Sequence, residues 1–118
     1  MDRSAPVTVV ETPEFLSAAR RIMDDEERAM LVDFLAQNPK AGDVIEGTGG
    51  IRKLRWRLPG RGKSGGARVI YFFHNGSMPL FALTAYAKND TADLSQRDRN
   101  DYYRLTTLLV EAYWRKTR

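Results

Sequence analysis

The sequence predicts an α+β domain in which two helices precede a small antiparallel sheet and a further helix follows it. Three observations predict this order. Apolar residues recur at helical spacing in the first third of the chain and again near its end, and the middle third switches to an alternating, strand-like period. The junctions carry either capping residues or clusters of glycine and proline.

Taken in order, Val7 to Val10 is a short β-branched run and reads as a first strand. Thr12 has the chemistry of an N-cap, with Pro13 at the first helical position and Glu14 beside the positive end of the helix dipole, so a helix is expected from Pro13 to about Met23. Asp24 caps a second helix with Glu27 three residues on. Met30, Leu31, Phe34 and Leu35 form its apolar stripe, and Asn38-Pro39 stops it. So short a connection predicts a helical hairpin. The glycine-rich segment from Ala41 to Gly50 reads as a loop. Beyond it, Ile51, Lys53, Arg55 and Arg57 fall on one face of an extended strand, and Arg52, Leu54, Trp56 and Leu58 on the other. Pro59 to Gly66 reads as a loop, and Ala67 to Phe73 and Leu80 to Tyr86 as two strands joined near Asn75-Gly76, which completes a three-stranded antiparallel meander. Ser95, with Asp98 in the capping-box position, opens the last helix, whose stripe is Tyr102, Leu105, Leu108, Leu109, Ala112 and Tyr113. Val69, Tyr71, Leu83, Leu54, Trp56, Phe34 and Leu109 are expected to meet in one core under the sheet.

Composition narrows the chemistry. The 118 residues suit one domain spanning 1–118, and 42% apolar with 29% charged residues is ordinary for a globular protein. The absence of cysteine excludes disulfides, thiolate zinc sites and a cysteine nucleophile. His74 is the only histidine, so a histidine-pair nuclease and a multi-histidine metal site are excluded. Asp24, Asp25, Glu26 and Glu27 cluster where the helix dipole already accounts for them, and the expected strands carry no carboxylate. No metal and no cofactor are therefore expected. No stretch has the ~18 apolar residues of a membrane span and the start lacks a signal-peptide run, so the cytoplasm is the expected compartment and no membrane partner is expected.

The net charge is only +4, but its distribution is informative. Gly47 to Asn89 holds Arg52, Lys53, Arg55, Arg57, Arg61, Lys63, Arg68 and Lys88 and none of the 15 acidic residues. A one-sign field of this kind attracts phosphate and steers polyanions, which favours nucleic acid over a merely solvated face. Within the segment, Gly62-Lys63-Ser64 has the ending of a P-loop. The glycine required five residues earlier is Arg57, however, and a strand follows in place of a helix, so nucleotide hydrolysis is not favoured. Arg61 and Lys63 then belong to a basic loop suited to an RNA backbone.

A protein without paired histidines or metal can still cleave RNA, whose 2′-hydroxyl is an internal nucleophile. It must remove the 2′-proton, neutralise charge growing on the phosphate and help the 5′-oxygen leave. Lys53 and Arg55, two residues apart on one strand face, lie roughly 7 Å apart. At an effective dielectric near 20 they repel by about 2 kcal/mol, which favours a neutral lysine amine able to act as a base. A plain phosphate grip by Lys53 fits the sequence equally.

Four segments resemble, in register, the HigB branch of the RelE-type toxins: Gly49-Gly50-Ile51-Arg52-Lys53-Leu54-Arg55-Trp56, Pro59 to Gly66, Arg68-Val69-Ile70-Tyr71 and Tyr86-Ala87-Lys88-Asn89. The resemblance spans roughly Val7 to Tyr113. It implies a RelE-like fold, a small twisted antiparallel β-sheet packed against an N-terminal helical hairpin and a C-terminal helix. It also implies a type II toxin, a metal-independent endoribonuclease that cuts mRNA in the ribosomal A site, leaves a 2′,3′-cyclic phosphate and a 5′-hydroxyl, and is inhibited by a cognate, HigA-like antitoxin with a helix-turn-helix domain. Carried over residue by residue, it places the catalytic basic pair on Lys53 and Arg55, a phosphate-binding arginine on Arg68 and a further basic group on Lys88. Arg52, Arg57, Arg61 and Lys63 remain as RNA-binding candidates. Relatives with a base-stacking tyrosine carry it after the last strand; Asn89 to Ser95 has none, and Tyr86, Tyr102 and Tyr103 are the substitutes. ParE-type toxins share the scaffold and inhibit DNA gyrase without catalysis, and a basic RNA-binding module would share the charge pattern, so both remain alternatives.

Overall fold

The structure, a computed structural model, describes residues 5–58, 66–88 and 94–116. Its elements run β1 (Val9–Glu11), α1 (Pro13–Arg20), α2 (Asp25–Gln37), β2 (Asp43–Val44), β3 (Ile51–Trp56), β4 (Ala67–Phe72), β5 (Leu80–Ala87) and α3 (Gln96–Lys116). The α+β class holds, with α1 and α2 before the run β3–β4–β5 and α3 after it.

The helix ends form as their local chemistry dictates. Thr12 Oγ1 accepts from the Phe15 amide at 3.1 Å and donates to the Ala82 carbonyl at 2.9 Å, so the cap of α1 is also its attachment to β5. Asp24 and Glu27 form a reciprocal capping box, with Glu27 N donating to Asp24 Oδ1 at 2.7 Å and Asp24 N to Glu27 Oε1 at 2.9 Å. Ser95 and Asp98 repeat the arrangement at the start of α3. α1 stops at Arg20, three residues short of the expected end, because the backbone tightens there and Ile22 N donates to Ala19 O.

The meander β3–β4–β5 is present, but the sheet is wider than expected. Its order is β1-β5-β4-β3-β2, with β1 parallel to β5 and the remaining pairs antiparallel, so the sheet is mixed where an antiparallel one was expected. The strand expected at Val7 to Val10 is β1, two residues further on, and it and the unexpected β2 are short edge strands, which are poor templates for association. β2 falls inside the segment read as a loop, and the register of β5 shifts by one residue opposite Ile70/Tyr71, at Leu83.

The expected single core is two cores. Strand alternation sends Leu54, Val69 and Tyr71 to one face, where they pack with Phe15, Ala19, Leu31 and Leu35 of α1 and α2, joined by Phe34 and Trp56. It sends Ile51, Ile70, Phe72 and Phe81 to the other, under Tyr102, Leu109, Val110 and Tyr113 of α3, and Leu83 joins this second group. Helices on both faces explain why β4 is buried along almost its whole length.

Two anchors hold the segments beside the central strands. Tyr71 is fully buried, donates from its hydroxyl to Pro39 O at 2.8 Å and accepts from Gly42 N at 2.8 Å. A Cβ at Gly42 would lie 2.9 Å from the Tyr71 ring, so only glycine lets the chain pass this closely. Burial pushes the Tyr71 phenol above its ordinary pKa. On the opposite face, buried Thr106 of α3 donates to Thr48 O at 3.1 Å, and Arg99 donates to Glu46 O at 2.7 Å. These bonds pin the β2–β3 turn onto α3.

Candidate functional site

The cations of β3 and β4 converge because of register. Arg55 pairs with Arg68, and Arg68 pairs with Tyr86, so one row across three strands reads Arg55, Arg68, Tyr86 on a single face. The next row inward is Asp43, Lys53, Ile70, Thr84, and the third is Ile51, Phe72, Phe81. The apolar third row lies under α3; the first two do not belong to that buried group except through Ile70 and the flanking ring of Tyr86. The C-terminal helix thus covers one half of the face and leaves the cationic half open.

An open pocket of about 390 Å³ sits over this half, lined by Ala41, Asp43, Lys53, Leu54, Arg55 and Arg68. Arg55 is exposed, while Lys53 and Arg68 are half-buried. Two arginines directly opposite each other on neighbouring strands repel, and β3, β4 and β5 contain no acidic residue to offset them. The arrangement is unfavourable in the protein alone and favourable around an anion. The paired guanidiniums together present many donors and no acceptor, which suits the oxygens of a phosphodiester.

The remaining sequence-derived candidates divide. Arg57 is exposed just past the end of β3, and Lys88 is exposed at the end of β5, where its amide donates to Gly66 O at 3.1 Å. Both therefore stand at the same end of the sheet as the Arg55–Arg68–Tyr86 row. Arg52 is not brought to the pocket: it points to the opposite face and its Nη1 donates to Gly42 O at 2.7 Å and Lys40 O at 3.2 Å. Arg61 and Lys63, the loop Pro59 to Gly65 and the stretch from Asn89 to Asp93 lie outside the described residues. Of the substitute tyrosines, Tyr86 borders the cations. Tyr102 packs in the apolar group under α3, where burial raises its pKa, and Tyr103 is exposed beside Gly49. His74 stacks on Phe72 with ring centroids 6.3 Å apart, past the end of β4 remote from the cations.

Sequence reasoning missed Asp43. It expected strands free of carboxylates, yet β2 brings Asp43 into register with Lys53 and into the pocket lining, and β1 ends in Glu11. The available signal was slight: a β-branched pair, Val44-Ile45, between Gly42 and the Gly47-Thr48-Gly49-Gly50 turn. Asp43 also offsets the repulsion on which a self-activated Lys53 depends. Among the described residues no group of three or more acidic or histidine side chains could hold a metal ion, and no helix is long and apolar enough to cross a membrane.

A solved structure of an E. coli toxin RelE double mutant in the free state superposes with a TM-score of 0.52 at 14% identity, covering 73% of this chain and 87% of that one, which supports the fold. The family model for the RelE toxin of the RelE / RelB toxin-antitoxin system matches residues 9–116, from the first strand to the last turn of α3. By that match across nearly its whole length, the chain belongs to the RelE toxin family.

Proposed function

We propose that this protein is a HigB-like toxin that cuts messenger RNA in the ribosomal A site and so inhibits translation. The observation that carries the reading is the opposed pair Arg55 and Arg68 beside Lys53, on the half of the sheet that α3 leaves uncovered. Like charges in register cost the fold stability, and an RNA phosphate turns that cost into binding.

In this reading the scissile phosphate sits over the pocket. Lys53, Arg55 and Arg68 neutralise the charge that grows on its oxygens as the 2′-hydroxyl attacks, which leaves a 2′,3′-cyclic phosphate and a 5′-hydroxyl. Tyr86, beside Arg68, offers a ring on which a base can stack. Arg57 and Lys88, at the end of the sheet that carries the arginine row, hold the backbone next to the scissile phosphate, and Arg61 and Lys63 are further RNA-binding residues of this reading. Arg52 acts on RNA only indirectly, through the turn it holds. A cognate HigA-like antitoxin, and a cytoplasmic site of action on the ribosome, complete the proposal.

The test compares free RNA with messenger RNA on ribosomes whose A site is empty. Free RNA is cut poorly and ribosome-bound RNA rapidly, because the ribosome supplies the in-line geometry that a surface of cations cannot impose alone. Lys53→Ala lowers the single-turnover rate far more than it weakens ribosome binding, as expected of a group acting in the transition state. No cleavage on programmed ribosomes, together with gyrase-dependent DNA breaks in cells, would move the protein to the ParE-like reading.

A further inference from the structure

We propose that the Asp43 carboxylate is the proton acceptor of the cleavage step, a role that rests on the nuclease reading above. Among the described residues, the charged side chains lining the pocket are Lys53, Arg55, Arg68 and Asp43. A guanidinium offers donors and no lone pair, and an ammonium likewise. Among the described residues, Asp43 is the lining side chain with lone pairs ready to receive a proton. It stands next to Lys53 in the same row of the sheet, one row inward from the two arginines that grip the phosphate.

Its placement is built. A carboxylate beside a phosphate site weakens anion binding, so a surface made only to hold RNA gains nothing from it. Yet the turn leading to Asp43 is held at four points. Tyr71 bonds Pro39 O and Gly42 N, and Arg52 bonds Lys40 O and Gly42 O. Gly42 packs so closely on Tyr71 that no side chain fits there. Tyr71 and Arg52 are therefore positioning residues for the carboxylate, which explains why an arginine of the basic segment faces away from RNA.

The 2′-oxygen bonds to phosphorus as its proton passes to the Asp43 carboxylate. The bond from phosphorus to the 5′-oxygen breaks with its electron pair on that oxygen, which takes a proton from the Lys53 ammonium. The two side chains recover their starting forms by exchange with solvent after product release. Among the described residues, the charged and titratable groups around Asp43 are Lys53 and Arg55 on β3, Arg68 on β4, and Arg52 and Tyr71 behind the turn.

The experiment measures single-turnover cleavage of messenger RNA on programmed ribosomes by the full chain, Asp43→Asn and Asp43→Ala, with ribosome affinity measured in parallel. Asp43→Asn should lower the rate by about 100-fold or more, the usual contribution of a positioned base. Affinity should stay equal or rise, since a negative charge has left a cationic pocket. Added formate should restore part of the Asp43→Ala rate. An Asp43→Asn variant cutting within about threefold of the parent, or one whose rate loss is matched by lost affinity, overturns the assignment. If the unaltered chain does not cut at all, the nuclease reading falls first and takes this assignment with it, whereas cleavage retained without Asp43 removes the assignment alone.

Discussion

Replacing Arg68 by alanine tests whether the cationic row exists for the fold or for a ligand. Arg68 and Arg55 are register partners on adjacent antiparallel strands, with Cα atoms about 5 Å apart. Like charges so placed are destabilising by about 0.2–1 kcal/mol, and no strand neighbour carries a compensating acid. Against this relief stands the half-buried aliphatic stem of Arg68, whose loss costs a comparable fraction of a kcal/mol. The two nearly cancel, so the net change lies within about 1 kcal/mol and the melting temperature within about 4 °C of the parent's, given the usual entropy of unfolding at this size. Cleavage behaves differently. Charge-assisted hydrogen bonds to a phosphate are each worth about 1.5–3 kcal/mol, which corresponds to a rate loss of about 10- to 150-fold, enough to abolish growth inhibition at modest expression. A thermal melt, a growth assay and a single-turnover cleavage assay on one preparation decide the matter. Full toxicity in a stably expressed variant refutes the site, and a fall in melting temperature of more than about 8 °C refutes the claim that Arg68 is dispensable to the fold.

Two further outcomes concern the anchors that shape the site. Gly49→Ala should destabilise the protein by about 2–5 kcal/mol in denaturant unfolding, through a strained left-handed backbone and an overpacked contact. Gly49 has φ +78°, and a Cβ there would come within 2.3 Å of Thr106 Oγ1; a loss under about 1 kcal/mol contradicts the docked turn. Tyr71→Phe strips partners from Pro39 O and the buried Gly42 N and should cost about 1–3 kcal/mol. Because burial raises the Tyr71 phenol, the unfolded chain ionises there first. Its contribution to stability is intact below about pH 10 and is lost as pH rises from there through the folded-state value. Stability measured from pH 9 to 11 should therefore fall less steeply in Tyr71→Phe than in the parent, and equal slopes refute the link.

What lies within a few residues was legible in the sequence. The caps at Thr12, Asp24 and Ser95 form as their spacing indicates, since each bond joins groups three residues apart. The strands β3, β4 and β5 follow from their period, and so does the division of β3 into a face with Lys53 and Arg55 and a face with Arg52 and Leu54. Four basic motifs in order were sufficient to identify the family that the match over residues 9–116 then showed.

The tertiary structure decided whatever depends on which distant segments become neighbours. A two-residue strand has too little pattern to be seen, so Asp43 became part of the pocket only when β2 paired with β3. The parallel placement of β1 beside β5 needs an intervening crossover that no local signal encodes. The register shift at Leu83 keeps Tyr86 on the face of Arg68 while Ala82 stays on that of Tyr71, and one residue of slip inverts that choice. Residue spacing along the chain determined which side chains share a strand face; the pairing of strands, closed by contacts more than twenty residues apart such as Tyr71 with Gly42, decided which of those faces meet an acid, a ring or a helix.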